Sequence, residues 1–398
     1  MNIGGVIAEY NPFHSGHQYQ LDQMRKNGMD RIAVVMSGNF VQRGDVAIQS
    51  KFTRAMAAIQ GGADLVIELP VPFSLASAER FAYGGIYLLR ALGCVGTLSF
   101  GCEDNELPLL HEIVRVLARP ETDAMIRTTL EKGISYPAAR GAAVQSLLGT
   151  HAHELLKKPN NILAIEYLKA AEKLNVPFEY LPILRKGAGH DSSGQLEGFL
   201  SASEIRRTLC AGVIPAGGVI PAASLKLILQ EMRAGRLPAT TQQLERIILY
   251  VLRQSTAEAL CRLPDVSEGL EGRILNAAKT SNSLLELTEA IKSKRYPLAR
   301  IRRILMAALL GITREDLTLM PPYIRVLACN TNGFDILRKS RTTARLPIVM
   351  RANDVRRLDS KSREYFAREC RFDDIYALSC PNIQACGLNQ TTGVQIIK

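Results

Sequence analysis

Tryptophan is absent from the 398 residues, and aromatic side chains make up only 6% of them. So few flat side chains leave no obvious stacking platform for the bases of a single strand. Also missing is any stretch near the roughly 18 to 20 consecutive apolar residues of a membrane span. Met1 to Ala8 carries neither the basic start nor the long apolar run of a secretory signal. The eight cysteines include no C-x-x-C pair and no neighbouring histidine at metal spacing, which argues against structural zinc and a disulfide framework. There is no internal repeat and no low-complexity segment. What these absences leave is a soluble, reduced, cytoplasmic protein with no membrane partner.

What is present is ordinary in amount and uneven in distribution. Hydrophobic residues are 47% and charged residues 22% of the chain, close to globular averages, and the length predicts two or three domains. The formal charge is +11. Between Lys292 and Arg371 there are nineteen Lys and Arg against seven Asp and Glu, so this one region carries the whole excess. A localised excess is the electrostatic footprint expected of a polyanion binder, because each phosphate neutralised releases counterions. A solvated face that aids solubility would look the same.

Short apolar runs at Ile3 to Ala8, Arg31 to Met36, Leu65 to Glu68 and Thr97 to Phe100 alternate with helix-compatible segments at Ser15 to Lys26, Lys51 to Ile59 and Ala76 to Leu92. That alternation predicts an α/β fold, a Rossmann-like doubly wound parallel sheet with ligands beyond the carboxyl ends of its strands. Leu107 to Leu148 reads as a helical insertion, and Glu179 to Pro182 as a further strand. The expected division is a catalytic domain over 1–210, a helical domain over 211–320 and a small mixed α/β subdomain over 321–398. This last part, together with 292–320, carries the basic region.

The segment from Glu9 to His17 follows the first strand and opens the first helix. Unpaired backbone N–H groups and the positive end of the dipole favour a phosphate at such a place. His14 and His17, three residues apart, share one helical face and can both donate to one polyphosphate. Gly16 leaves room for a nucleotide to approach. Adenylyl transfer needs an in-line nucleophile, a clamped triphosphate and stabilisation of developing charge, so His14 and His17 are the catalytic candidates.

His14-Ser15-Gly16-His17 resembles the first motif of the H-x-G-H nucleotidyltransferase superfamily, and Leu200-Ser201-Ala202-Ser203-Glu204-Ile205-Arg206 resembles its second, written I-S-S-T-x-I-R. Ser15 stands where asparagine is usual and Ser203 where threonine is common. Within the superfamily the chain is most similar to the tRNA(Met) cytidine acetate ligases. Ala8-Glu9-Tyr10-Asn11-Pro12-Phe13-His14, the run Gly61 to Pro70, Ser99-Phe100-Gly101, Pro159 to Leu163 and Lys294-Arg295-Tyr296 carry that likeness.

The resemblance implies activation of acetate by ATP, accompanied by Mg²⁺, and acetyl transfer to N4 of the wobble cytidine of elongator tRNA(Met). It implies an ATP site at Ile7-Ala8-Glu9-Tyr10-Asn11-Pro12-Phe13-His14-Ser15-Gly16-His17-Gln18-Tyr19-Gln20, Gly101, Asn161, Arg185 and Lys186. Ser201, Ser203 and Arg206 would hold the β and γ phosphates.

Other residues are read from position alone. Asn39, Arg43, Lys51 and Arg54 are candidates for steering acetate or stabilising pyrophosphate, or they belong to a structural loop. Asp64 and Glu68 read better as a turn residue and a group satisfying local backbone donors than as an acid–base pair. Asn160 fits an N-cap. Lys294, Arg295, Arg300, Arg302 and Arg303 are the candidates for a tRNA phosphate track, with Arg338, Lys339, Arg341 and Arg345 as another. A small-molecule nucleotidyltransferase and a noncatalytic RNA-binding factor remain the alternative functions.

Overall fold

A computed structural model describes residues 1–185, 200–267 and 269–397. Its main sheet is built from β1 (Ile3–Ala8), β2 (Arg31–Ser37), β5 (Leu65–Leu69), β6 (Thr97–Cys102), β7 (Glu179–Leu184), β8 (Ile324–Asn330), β9 (Ile348–Val349) and β10 (Gln395–Ile397), while β3 (Phe40–Val41) and β4 (Asp45–Val46) form a separate hairpin. The order along the main sheet is β10-β8-β5-β2-β1-β6-β7, with β9 paired to β8.

Strands β5, β2, β1, β6 and β7 are mutually parallel. Apart from the edge strand β7, they are near-continuous apolar runs because both faces are covered. From β2, Ala33 and Val35 join one core with the helices Ala78–Leu92 and Pro159–Lys173. Ile32, Val34 and Met36 join the other, with α1 (Ser15–Lys26) and α2 (Lys51–Gln60). One residue of slip would exchange the two faces, so the side-chain pattern pins the register.

Counting outward from β1, the chain goes through β2 to β5 and then crosses to place β6 on the other side of β1. The crevice where the order reverses, beyond the carboxyl ends of β1 and β6, is where doubly wound sheets bind ligands. The first strand and first helix therefore meet at the position the sequence marked.

The doubly wound expectation needs one correction. The segment from 321, read as a small mixed subdomain, contributes β8, β9 and β10 to this same sheet, and β8 runs antiparallel to β5. Residues 375–378 lie in the end of the helix Ser360–Tyr376 and a following 3-10 turn. Between β7 and β8 the chain builds a helical unit whose core combines Ile248, Leu252, Ile274, Leu287, Ile304 and Leu305 with Phe40 and Val46 of the β3–β4 hairpin and Phe372 and Tyr376 of the helix Ser360–Tyr376. Among the described residues no helix is long and apolar enough to cross a membrane.

Candidate functional site

Packing sets the turn between β1 and α1. Tyr10, at φ 48°, is fully buried, with its ring edge-on to Phe13 at 4.9 Å and to His17 at 4.7 Å. Phe13 lies against Gly61, where an added Cβ would stand 2.3 Å from the phenyl ring. The N-P-F and G-G-A-D segments are thus two halves of one contact, and any side chain at Gly61 would push the turn out of place.

His14 is the N-cap of α1. Its Nδ1 accepts the Gly16 N–H at 3.1 Å, and its own backbone N–H donates to His17 Nδ1 at 3.2 Å. The two imidazoles stack with centroids 3.7 Å apart. With both Nδ1 atoms accepting, each neutral ring must carry its hydrogen on Nε2. Burial, followed by the nearby Arg185 and Arg206 cations, lowers the His14 pKa to about 3. Burial and His14 itself push His17 well below the usual histidine range. The pair is therefore neutral at physiological pH, and neither Nε2–H has a partner among the described residues. His17 lies on the wall of an open cleft of about 500 Å³. His14 is packed behind it.

The second motif begins a helix on the same cleft. Ser201 caps Ala202–Cys210: its hydroxyl accepts the Glu204 N–H at 3.2 Å and donates to the Glu204 carboxylate at 2.6 Å. Its side chain is therefore committed to the helix. Ser203 and Arg206 are freer. Arg206 donates from Nη1 to the Asn11 carbonyl at 2.8 Å and from Nη2 to Ser203 Oγ at 3.3 Å. Ser15 ties the first motif to the segment that follows that helix, with its N–H and Oγ each 2.9 Å from the Val219 carbonyl they donate to. Ser201, Ser203 and Arg206 all line the cleft. Two helix N-termini and a guanidinium thus bound one cavity, a surrounding suited to a polyphosphate.

From the nucleotide segment, Ile7, Ala8, Glu9, Tyr10, Asn11, His17 and Gln20 reach the cleft wall, as do Gly101 and Arg185. Pro12, Phe13, Ser15, Gly16, Gln18 and Tyr19 are not part of that wall. Lys186 lies outside the described residues. Asn161 is fully buried. Its Oδ1 accepts the Glu103 N–H at 3.1 Å and its amide donates to Asp104 at 2.8 Å, so its side chain ties the turn after β6 to the helix Pro159–Lys173. The residue facing the cleft is its neighbour Asn160, which accepts from Arg185 at 3.0 Å. The N-cap of that helix is Lys158 rather than Asn160.

Sequence reading missed Gln42, Phe81, Leu163 and Tyr167, which also form the wall. The last three sit at helical core spacing, which carries no mark of a cavity.

Of the four residues considered for acetate or pyrophosphate, only Arg43 lines the cleft. Lys51 is fully buried between Glu68 at 2.6 Å and Asp373 at 2.7 Å. Burial opposes its charge, but Asp373 and Glu68 outweigh that and raise its pKa. Asn39 donates to Asp373 at 2.8 Å and accepts the Lys51 N–H at 2.7 Å. Arg54 donates to the main-chain oxygens of Glu9, Gly38 and Gln49, bracing the cleft from behind. Glu68, expected on backbone donors, instead pairs with Lys51. Asp64 accepts the Ile32 N–H at 2.7 Å and pairs with Arg25 at 2.5 Å, a structural role as expected.

In the basic region, Arg300 donates to the Asp265 carbonyl at 2.8 Å and to Ser267 Oγ at 2.8 Å. Arg303 pairs with the Asp265 carboxylate at 2.8 Å. Both are held by that loop. Lys294, Arg295 and Arg302 are exposed. Arg302 lines a cavity of about 200 Å³ with Gly44 and Asp45 of the hairpin. Gly44, at φ +78°, is required there because a Cβ would lie 2.4 Å from the Arg303 nitrogen. The same hairpin loop presents Gln42 and Arg43 to the nucleotide cleft, so one turn separates the cleft from the helical unit.

Comparison with known proteins agrees with this geometry. The family model described as HIGH Nucleotidyl Transferase matches residues 1–391. The tRNA(Met) cytidine acetate ligase of Syntrophomonas wolfei is 38% identical over 96% of both chains, and the one from a Thermoanaerobacter strain is 36% identical over 98% of both. The crystal structure of Thermotoga maritima TmcAL bound with alpha-thio ATP superposes with a TM-score of 0.91 at 31% identity, covering all of both chains. With both motifs in one cleft and likeness along its whole length, the chain belongs to the HIGH nucleotidyl transferase family, among the tRNA(Met) cytidine acetate ligases.

Proposed function

We propose that the protein uses ATP to activate acetate as acetyl-adenylate, releasing pyrophosphate. It then transfers the acetyl group to N4 of the wobble cytidine of elongator tRNA(Met), releasing AMP. The observation that carries this reading is the neutral, stacked His14–His17 pair with both Nδ1 atoms committed and both Nε2–H groups unspent.

Neutral imidazoles donate to phosphate oxygens without a change of protonation, so their contribution is preorganised and does not titrate near neutrality. His17 acts from the cleft wall and His14 from behind it. The α1 and Ala202–Cys210 N-termini, Ser203 and the guanidinium groups of Arg206 and Arg185 clamp the triphosphate. An acetate oxygen attacks the α-phosphorus in line and the bond to pyrophosphate breaks, with charge accumulating where these donors converge. The apolar wall of Phe81, Phe100, Leu163 and Tyr167 receives the methyl group and keeps water from the adenylate.

No set of three His, Cys, Asp or Glu side chains converges among the described residues. Mg²⁺ would accordingly enter with ATP, with phosphate oxygens and water as its ligands. It would add neutralising charge on the leaving pyrophosphate. The exposed Lys294, Arg295 and Arg302 are the residues proposed to meet the tRNA backbone, and the cytoplasm is the proposed site of action.

The test is incubation with ATP, Mg²⁺, labelled acetate and total bacterial tRNA, then digestion and mass spectrometry of the nucleosides. Label in N4-acetylcytidine only when ATP is present supports the reading. Acetate-dependent ATP–pyrophosphate exchange without labelled nucleoside would move the acceptor elsewhere. Tight RNA binding with no ATP turnover on any carboxylate would favour a noncatalytic RNA-binding factor.

A further inference from the structure

Glu9 directly follows the first strand at the reversal point of the sheet and, among the described residues, is the one carboxylate on the cleft wall. The same wall carries His17, Arg43, Arg185 and Arg206. The reactants of the first step are a triphosphate and a carboxylate, both anions, and a fixed negative charge repels each of them. A carboxylate at this position opposes binding of the first pair of substrates, so its use lies in the second step.

Its geometry is suited to that use. The Glu9 carbonyl accepts from Arg54 at 2.5 Å, and Oε1 accepts the Gln42 N–H at 2.9 Å. Oε2 has no partner among the described residues. Among the described residues, no other group on the wall is placed to accept a proton. The Nδ1 of His17 already accepts the His14 N–H, and its Nε2 carries hydrogen. Tyr167 lies close enough to sense the Glu9 charge, and burial followed by that charge raises its pKa, so the phenol keeps its proton.

We infer, resting on the function proposed above, that Glu9 is the catalytic base of acetyl transfer and accepts the proton of the incoming cytidine amine. The exocyclic amine of cytosine is a weak nucleophile because its lone pair is delocalised into the ring. A carboxylate is the usual side-chain acceptor for its N–H. With Oε2 holding one N4 hydrogen, the N4 lone pair attacks the acetyl carbonyl carbon, the C–O bond to AMP breaks and AMP leaves as its anion. The N4 proton moves to Oε2 and later to solvent. The cation-lined cleft that clamps ATP then retains AMP while the amide departs.

The two half-reactions separate this role from a structural one. Glu9→Gln keeps an oxygen for the Gln42 N–H and removes the base. In the full-length variant, the ratio of tRNA acetylation to acetate-dependent ATP–pyrophosphate exchange falls by about 10²–10⁴-fold, the usual contribution of a general base, whatever the variant does to ATP binding. Hydroxylamine, which attacks acyl-adenylates without a base, yields acetohydroxamate in the same proportion to exchange in variant and wild type. Glu9→Asp, which keeps the carboxylate, recovers part of the lost transfer.

Parallel loss of exchange, hydroxamate formation and tRNA acetylation in Glu9→Gln would overturn the role, and so would tRNA acetylation at the wild-type rate. Wild-type protein that shows no acetate-dependent exchange would overturn the underlying reading as well.

Discussion

Lys51 and Arg206 are both cations on helices that begin at the carboxyl edge of the sheet, and from sequence both looked fit to meet a phosphate. Lys51 is closed off from solvent between Glu68 and Asp373. Arg206 stands on the cleft wall and reaches across to the Asn11 carbonyl. One charge is spent inside the protein and the other remains available to a ligand. Position in the fold therefore nominates a residue, and partner inventory decides its role. The cluster around Lys51 joins Asn39 and Glu68 to the helix Ser360–Tyr376, more than 300 residues along the chain, and so holds the wall against which the cleft is built.

Changing one member of each set separates stability from activity. Lys51→Met leaves Glu68 and Asp373 buried without their cation, and loss of one partner of such a pair costs about 3–5 kcal/mol. Chemical denaturation should report that loss, with whatever folded protein remains still binding ATP. Arg206→Ala removes a guanidinium proposed to hold the leaving pyrophosphate, and loss of one such donor lowers kcat about 10²–10³-fold. Its melting temperature should stay near that of the wild type; a Lys51-like collapse of stability would place Arg206 in the structural set instead.

A smaller effect concerns pH. Burial, then repulsion from Glu68, raises the Glu369 pKa well above the carboxylate range, and burial pushes Asp373 up to about 6. A carboxyl group whose folded pKa is raised holds more protons folded than unfolded. Stability therefore falls as pH rises above the unfolded carboxyl range toward the folded pKa. Glu369→Gln preserves the acceptor that Glu369 Oε2 offers the Val71 N–H at 3.2 Å. It should flatten the decline in stability as pH rises above the unfolded carboxyl range, read as a shallower slope of unfolding free energy against pH. Unchanged pH dependence would show that Glu369 is already ionised in the folded protein.

The parallel core was legible because strands buried on both faces read as apolar runs, and the edges of β1, β2, β5 and β6 fall within two residues of their sequence expectation. The two motifs were legible because His14 and Ser201 act through short-range caps, which sequence spacing encodes. Pairings formed across long separations were not. The antiparallel entry of β8 depends on where a helical unit releases the chain, and Arg300 and Arg303 are bound by a loop more than 30 residues away. Asn161 was taken for a nucleotide contact on resemblance, whereas the open side chain belongs to Asn160. Adjacent residues on a helix point in different directions, and nothing short of the packing of that helix against β6 distinguishes the two.

The proposed adenylyl transfer rests most directly on His17. The measurement is acetate-dependent exchange of labelled pyrophosphate into ATP by wild type and His17→Ala, each shown to be folded by its melting curve. Loss of exchange in the variant, with the melting temperature little changed, is the predicted result. Exchange at the wild-type rate in folded His17→Ala would contradict a role for the histidine pair in adenylyl transfer.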